Sequence, residues 1–292
     1  MSTTEDRVAG PAQDEAVIYE VTPTGVAVMT LNRPDRLNTW GGDIARAFYA
    51  GLDRAEQDSA VRVMVLTGRG KAFCAGAQLG AMGNVSQSIE ATDDGKLASL
   101  IGDHQPYHLT TLSKPVVAAI NGSCVGIGLT QALMCDVRFA AAGAKFAASF
   151  ARRGLIAEYG VSWILPRLTG WGVALDLLLS GRTFLADEAA ELGLVKAVVP
   201  PEQLMAHAMA YAEDIAQNCS PASMAIIKRQ AYGDAMREVA DSSSRSEILL
   251  HQSLKRPDVI EGITSFLEKR APSFPGLSAS AGSSGTGKDD HG

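Results

Sequence analysis

Two runs of small residues constrain this chain more than anything else in it: Lys71-Ala72-Phe73-Cys74-Ala75-Gly76-Ala77-Gln78-Leu79 and Asn121-Gly122-Ser123-Cys124-Val125-Gly126-Ile127-Gly128-Leu129. Each follows a run rich in β-branched residues, Val61 to Thr67 and Pro115 to Ile120, and each reads as a strand-to-helix turn. Turns built from Gly and Ala let a ligand approach the backbone closely and leave unpaired N–H groups at a helix N-terminus. Two of them converging can aim two donors at one oxygen, as an oxyanion hole requires. Taken singly, each run reads better as a tight turn. Gly126-Ile127-Gly128 lacks the third spaced glycine of a dinucleotide-binding fingerprint, and no Walker A pattern occurs.

Further strand candidates are Val17 to Val21, Val26 to Leu31 and Val137 to Ala140, and Ile44, Phe48, Leu52 and Ala55 mark one face of an intervening helix. Strands separated by helices predict an α/β core with crossover connections over residues 15–200. From about residue 200 the pattern is nearly all helical, with stripes at Leu204, Ala208, Tyr211 and Ile215 and at Val259, Ile263 and Phe266, so residues 201–275 are expected to form a C-terminal helical subdomain. Helices of this kind often pack on a neighbouring protomer. Residues 1–14 read as a disordered N-terminal arm, and residues 276–292 as a disordered Gly/Ser tail. The polar, poorly periodic stretch from Gly83 to about Gln105 reads as a functional loop or lid.

The net charge is −6, from 32 acidic and 26 basic side chains, with no long Lys/Arg run, so nucleic acid is not expected as a partner. The four cysteines show no C-x-x-C pair and read as reduced, mostly buried thiols. No apolar run approaches the ~18–20 residues needed to span a bilayer, and the first residues lack a secretory pattern. The expectation is a cytoplasmic protein without a membrane partner.

In order along the chain, Leu31-Asn32-Arg33-Pro34 with Asn38, the run Ala72 to Ala77, and Lys114-Pro115 through Asn121-Gly122 to Cys135-Asp136 resemble the signatures of the crotonase (enoyl-CoA hydratase/isomerase) family. Leu165-Pro166-Arg167-Leu168, Gly193-Leu194-Val195 and Phe266-Leu267-Glu268-Lys269-Arg270 extend the match across residues 17–274. The resemblance implies a spiral of ββα repeats, C-terminal helices that mediate trimers or hexamers (dimers of trimers), and an acyl-CoA thioester as substrate, CoA being part of the substrate with no separate cofactor. It implies that the backbone N–H groups of Ala77 and Ile127 hold the thioester oxygen, with Ile127 where relatives usually carry glycine. Arg36, Leu37, Ala75, Gln78 and Leu79 match positions lining the CoA channel, Gln78 replacing a more usual aspartate. Phe266 and Lys269 match positions that reach the adenine end from the same or a neighbouring subunit; without the resemblance, Lys269 reads as a solvated helix charge.

The departure from that family lies in the acids. The two hydratase glutamates fall at Thr130 and Phe150, and neither side chain can act as a base. Glu158 is the acid that remains close by, at a place where single-acid Δ3,Δ2-enoyl-CoA isomerases of the family carry glutamate. One base suits a double-bond shift, because it removes a proton at C2 and returns it at C4 without activating water. The expected activity is therefore isomerase-type, with Glu158 as acid and base. An enoyl-CoA hydratase of β-oxidation type using Glu158 or a loop acid (Asp93, Asp94 or Asp103), and a non-catalytic acyl-CoA binder, are the alternatives. His104 and His108 stand at i, i+4 spacing, but without an acidic partner in motif spacing they read as lid or surface histidines, and no metal site is expected. Asp136 reads as a structural hydrogen-bonding acid and Cys74 as packing.

Overall fold

The computed structural model describes residues 15–78 and 104–277. The expectations for the N-terminal arm, for Leu79, for Asp93, Asp94 and Asp103, for most of the 83–105 loop and for the tail beyond 277 fall outside them.

In chain order the elements are β1 (Val17–Val21), β2 (Val26–Leu31), α1 (Gly42–Gln57), β3 (Val63–Gly68), β4 (Ala72–Cys74), β5 (Val116–Ile120), β6 (Ser123–Val125), α2 (Ile127–Met134), β7 (Val137–Ala141) and β8 (Lys145–Ala147). They continue with α3 (Val161–Thr169), α4 (Trp171–Ser180), β9 (Thr183–Leu185), α5 (Ala186–Glu191), β10 (Ala197–Val199), α6 (Leu204–Asn218), α7 (Pro221–Gly233), α8 (Val239–Ser253) and α9 (Pro257–Glu268).

The strands form two sheets. The larger runs β1-β2-β3-β5-β7-β10, parallel except for the β1–β2 hairpin, and the smaller runs β4-β6-β8-β9, parallel except for β8–β9. Each of β3, β5 and β7 feeds a strand of the small sheet through a two- or three-residue corner, and β6 then leads directly into a helix. This is the expected spiral of ββα repeats. Every residue of β3 and β5 is buried, as parallel strands covered on both faces require.

Side-chain alternation along those strands divides the core. Met64, Leu66, Val116, Ala118 and Ile120 face one cluster together with Ile44, Phe48, Leu52 and Ala55 of α1 and with α2 and α3. Val63, Val65, Val117 and Ala119 face the other, against Leu204, Ala208, Ala212 and Ala216 of α6. The α6 stripe thus packs within its own chain, with Tyr211 and Ile215 at its margin. The face of α9 differs: Ile260, Ile263, Phe266 and Leu267 are all exposed, Phe266 by 81%.

One buried charged network ties the helical region to the core. Lys228 on α7 donates to the Asp136 carboxylate (2.7 Å) and to the carbonyls of Leu109 (2.8 Å) and Lys114 (3.1 Å). Asp136 also accepts from the Val116 amide (2.7 Å) and the Tyr232 hydroxyl (3.2 Å). Its structural role agrees with the sequence reading.

Candidate active site

Parallel pairing of β4 with β6 brings the two small-residue turns side by side, with Ala72 opposite Ser123 and Cys74 opposite Cys124. Beyond the strands they stay in contact. A β-carbon placed on Gly126 would lie 3.9 Å from the Gly76 Cα, and one on Gly76 would lie 3.5 Å from the Val125 carbonyl oxygen. Gly126 has φ 55°, a left-handed value that favours glycine, and it turns the chain into α2 with Ile127 as the first helical residue.

Ala77 is exposed, and its neighbours fix its orientation. Trp40 donates its amide to the Gly76 carbonyl (2.7 Å) and accepts from the Gln78 amide (2.9 Å), as a parallel bridge to Ala77 requires. In that pattern the Ala77 amide points away from Trp40. Ile127 is 5% exposed, so little of its β-branched side chain faces open space.

The segment after β2 frames the same region. Asn38, fully buried, donates to the carbonyls of Arg69 (3.0 Å) and Ala72 (2.8 Å) and accepts from the Arg33 amide (2.8 Å). It and Leu37 both adopt positive φ, 52° and 55°, a conformation costly for leucine. Held this way, the Leu37 carbonyl accepts from the Ala75 amide (3.1 Å), and Arg36 reaches Gln78 Oε1 (2.5 Å) and both oxygens of Asp43 (2.7 and 2.6 Å). Burial works to raise the Asp43 pKa, but hydrogen bonds from Arg36, the Ile44 amide and Arg33 outweigh it and hold the carboxyl below its usual range. The structure therefore brings Arg36, Leu37, Ala75 and Gln78 together. Phe266 and Lys269 lie at the end of α9, and among the described residues no hydrogen bond or ion pair ties them to that group.

Thr130 and Phe150, the positions that the resemblance assigns to the hydratase glutamates, are both buried. Thr130 is buried and turns its hydroxyl back to the Gly126 carbonyl (3.3 Å). Phe150 is buried, its ring edge 4.0 Å from where a Gly126 β-carbon would stand. Glu158 sits in the turn before α3, a helix packed on α2. It is half-buried, and burial raises its pKa above the ordinary carboxylate value. Among the described residues its carboxylate makes no ion pair or side-chain hydrogen bond. Its neighbour Tyr159 has φ 55°, a left-handed value strained for a residue with a side chain.

Sequence reasoning missed Tyr49, Gln131 and Asp53. Burial pushes the Tyr49 hydroxyl up to about 12, with the Gln131 carboxamide pulling the other way and Tyr159 adding to the rise. Gln131 is 2% exposed, and neither of its amide atoms reaches good hydrogen-bond geometry with another described residue. The signal was the α1 stripe itself, since residues 49 and 53 flank it one turn apart. Cys74, Cys124 and Cys135 are buried free thiols, and burial pushes Cys74 up to about 11, as suits packing and not a nucleophile.

A sequence profile described as enoyl-CoA hydratase/isomerase matches residues 21–277. The chain belongs to the enoyl-CoA hydratase/isomerase family. Among its relatives in that family is a 1,2-epoxyphenylacetyl-CoA isomerase of Escherichia coli, 36% identical over 253 residues, covering 86% of this chain and 95% of the relative. The crystal structure of an enoyl-CoA hydratase from Mycobacterium marinum is 66% identical, with TM-score 0.65 over 77% of this chain and 100% of that one. The crystal structure of an enoyl-CoA hydratase from Bacillus anthracis is 31% identical, with TM-score 0.81 over 90% of this chain and 100% of that one. The spiral, the paired turns and the helical C-terminal region are thus those of the crotonase fold.

Proposed function

We propose that this family member shifts the double bond of an enoyl-CoA thioester, using Glu158 as its acid and base and the Ala77 and Ile127 amides as an oxyanion hole. The observation that carries the reading is the state of three positions: Thr130 and Phe150 are buried and bear no acid, while Glu158 is half-buried, unpaired among the described residues and raised in pKa.

On this reading the thioester oxygen lies between the two turns. Glu158 takes a proton from C2 of a 3-enoyl thioester, and the electron pair moves into the carbonyl to give a dienolate. The two amides and the positive end of α2 stabilise that charge where it develops. The same carboxyl then returns the proton at C4, leaving the 2-enoyl product with no water consumed. A carboxyl partly withdrawn from water is better matched to this exchange than a fully solvated one. Arg36, Leu37, Ala75 and Gln78 line the CoA channel. Phe266 and Lys269 contribute at the adenine end from a neighbouring protomer, where the exposed apolar face of α9 packs to form a homotrimer or a dimer of trimers. No described helix is long and apolar enough to cross a membrane, and the charge balance disfavours nucleic acid; the protein is proposed to work in the cytoplasm.

Hydration of a 2-enoyl thioester is the second reading, favoured by the hydratase description of the 66%-identical Mycobacterium marinum structure. Purified protein assayed on matched 2-enoyl and 3-enoyl thioesters separates the two. Interconversion of the double bond that is lost in Glu158→Gln supports the proposal. Fast hydration that survives Glu158→Gln overturns it, as does tight CoA-ester binding without turnover on either substrate.

A further inference from the structure

A second group of reactive side chains lies outside this chemistry. Asp53 on α1 meets His104 and His108, whose segment runs toward β5; one oxygen and two ring nitrogens, all within 4.8 Å of one another, come together. His104 Nε2 is 2.7 Å from Asp53 Oδ1, and His108 Nε2 is 3.9 Å from the same oxygen. The acidic partner absent from the local sequence around the histidines is supplied from 51 residues upstream.

The protonation pattern of His108 gives this group its meaning. The Thr111 hydroxyl donates its one hydrogen to the His108 carbonyl (2.8 Å), so at 3.3 Å from His108 Nδ1 it acts as an acceptor, and Nδ1 carries the proton. His108 Nε2 is then the lone-pair nitrogen. It is buried, has no hydrogen-bond partner among the described residues, and faces a carboxylate oxygen. A lone pair and an anionic oxygen repel, and a cation between them removes the conflict.

We propose that Asp53, His104 and His108 form a site for a divalent transition-metal ion of the Zn²⁺ type. Two imidazoles and one carboxylate are a borderline donor set that suits zinc and leaves a fourth position for water. Tetrahedral ligands about 2.0–2.2 Å from the metal stand roughly 3.3–3.6 Å apart. The closest pair here must therefore open and the wider ones close. Ring contacts keep the two imidazoles together: Tyr49 stacks on His104 (centroids 4.9 Å, 21°), and His104 meets His108 edge-on (4.6 Å, 73°). A bound ion would cross-link α1 to the segment carrying buried Leu109, behind Tyr49.

The test is titration of the full chain with Co²⁺ and competition with Zn²⁺. The expected result is one equivalent bound with the visible absorption of a four- or five-coordinate ion, and a thermal midpoint that rises with Zn²⁺ and returns with chelator. Asp53→Asn and His108→Gln should each weaken binding by more than about tenfold, the low end of what losing even a supporting partner costs a metal site. His251→Gln, an exposed residue elsewhere, should leave it unchanged. No binding, or binding that persists in both site variants, overturns the proposal. Should either variant fail to fold, anomalous diffraction at the zinc edge from wild-type crystals grown with Zn²⁺ decides. A peak among the three ligand atoms supports the site; peaks only elsewhere, or none, sink it.

Discussion

Gly128 lies against Cys74 so closely that a β-carbon built on it would fall 2.3 Å from the Cys74 carbonyl oxygen and 2.7 Å from the Cys74 Cβ. The first turn of α2, which begins at Ile127, is thus pressed onto the end of β4, three residues before Ala77. Gly128→Ala must push them apart. We expect a loss of about 1–3 kcal/mol of stability, measured by denaturant unfolding, from overpacking a filled core. Turnover should fall further than stability, because the displacement falls between the two turns.

Glu158→Gln should lower kcat for double-bond migration by ~10²–10⁴-fold, the usual range for losing a general base. In the wild type the acid limb of kcat/KM should lie above the ordinary glutamate value, since burial raises this pKa and the working form is the ionised one. The effect on stability has the opposite direction. A raised folded-state pKa means the folded chain binds the extra proton between the unfolded and folded values, so the contribution is present at low pH and is lost as pH climbs through the folded pKa. The glutamine variant should be at least as stable as wild type at neutral pH, with the two converging in acid, as thermal melts from acid to neutral pH would show.

Ile127→Pro removes the amide donor at the one helical position that accepts proline readily. A kcat lower by ~10²–10³-fold with unchanged helical circular dichroism is expected if that N–H holds the oxyanion. Ile127→Ala keeps the donor and should retain most of the rate; equal losses in the two variants would assign the effect to packing.

Lys228→Met leaves the Asp136 carboxylate without its charged partner and frees two carbonyls. Breaking a buried ion pair from one side typically costs about 3–5 kcal/mol. Chemical denaturation should report that loss, and Asp136→Asn in the same background should recover part of it, since the uncompensated charge is then gone.

The strands, the α1 stripe and the paired turns were legible in sequence because each depends on local signals: β-branched runs, a helical period and clustered glycines. The sequence predicts a strand over Val61 to Thr67 and the strand stands at Val63–Gly68, a boundary shift set by where the ladder to β2 and β5 begins and ends. What sequence could not carry was juxtaposition. Sequence reasoning passes over Asp53 and reads the two histidines as lid or surface residues; only the fold across α1 joins them. The α6 stripe predicted at Leu204, Ala208, Tyr211 and Ile215 is buried at its first two positions, but Ala212 and Ala216 are buried in place of Tyr211 and Ile215, which lie at the margin. Gln131 gave no signal at all: a polar residue in an apolar helix looks like any exposed position until its burial is seen.

The small sheet carries one last implication. Since β4 and β6 are neighbours in one main-chain ladder, the spacing of the two bends is set by peptide pairing and by the bare backbone at Gly128. Acids at 130, 150 or 158 can therefore be gained or dropped while the cradle keeps its shape. Scaffold and reagent are separable here, and a lineage built this way is free to change its reaction without first having to rebuild its fold.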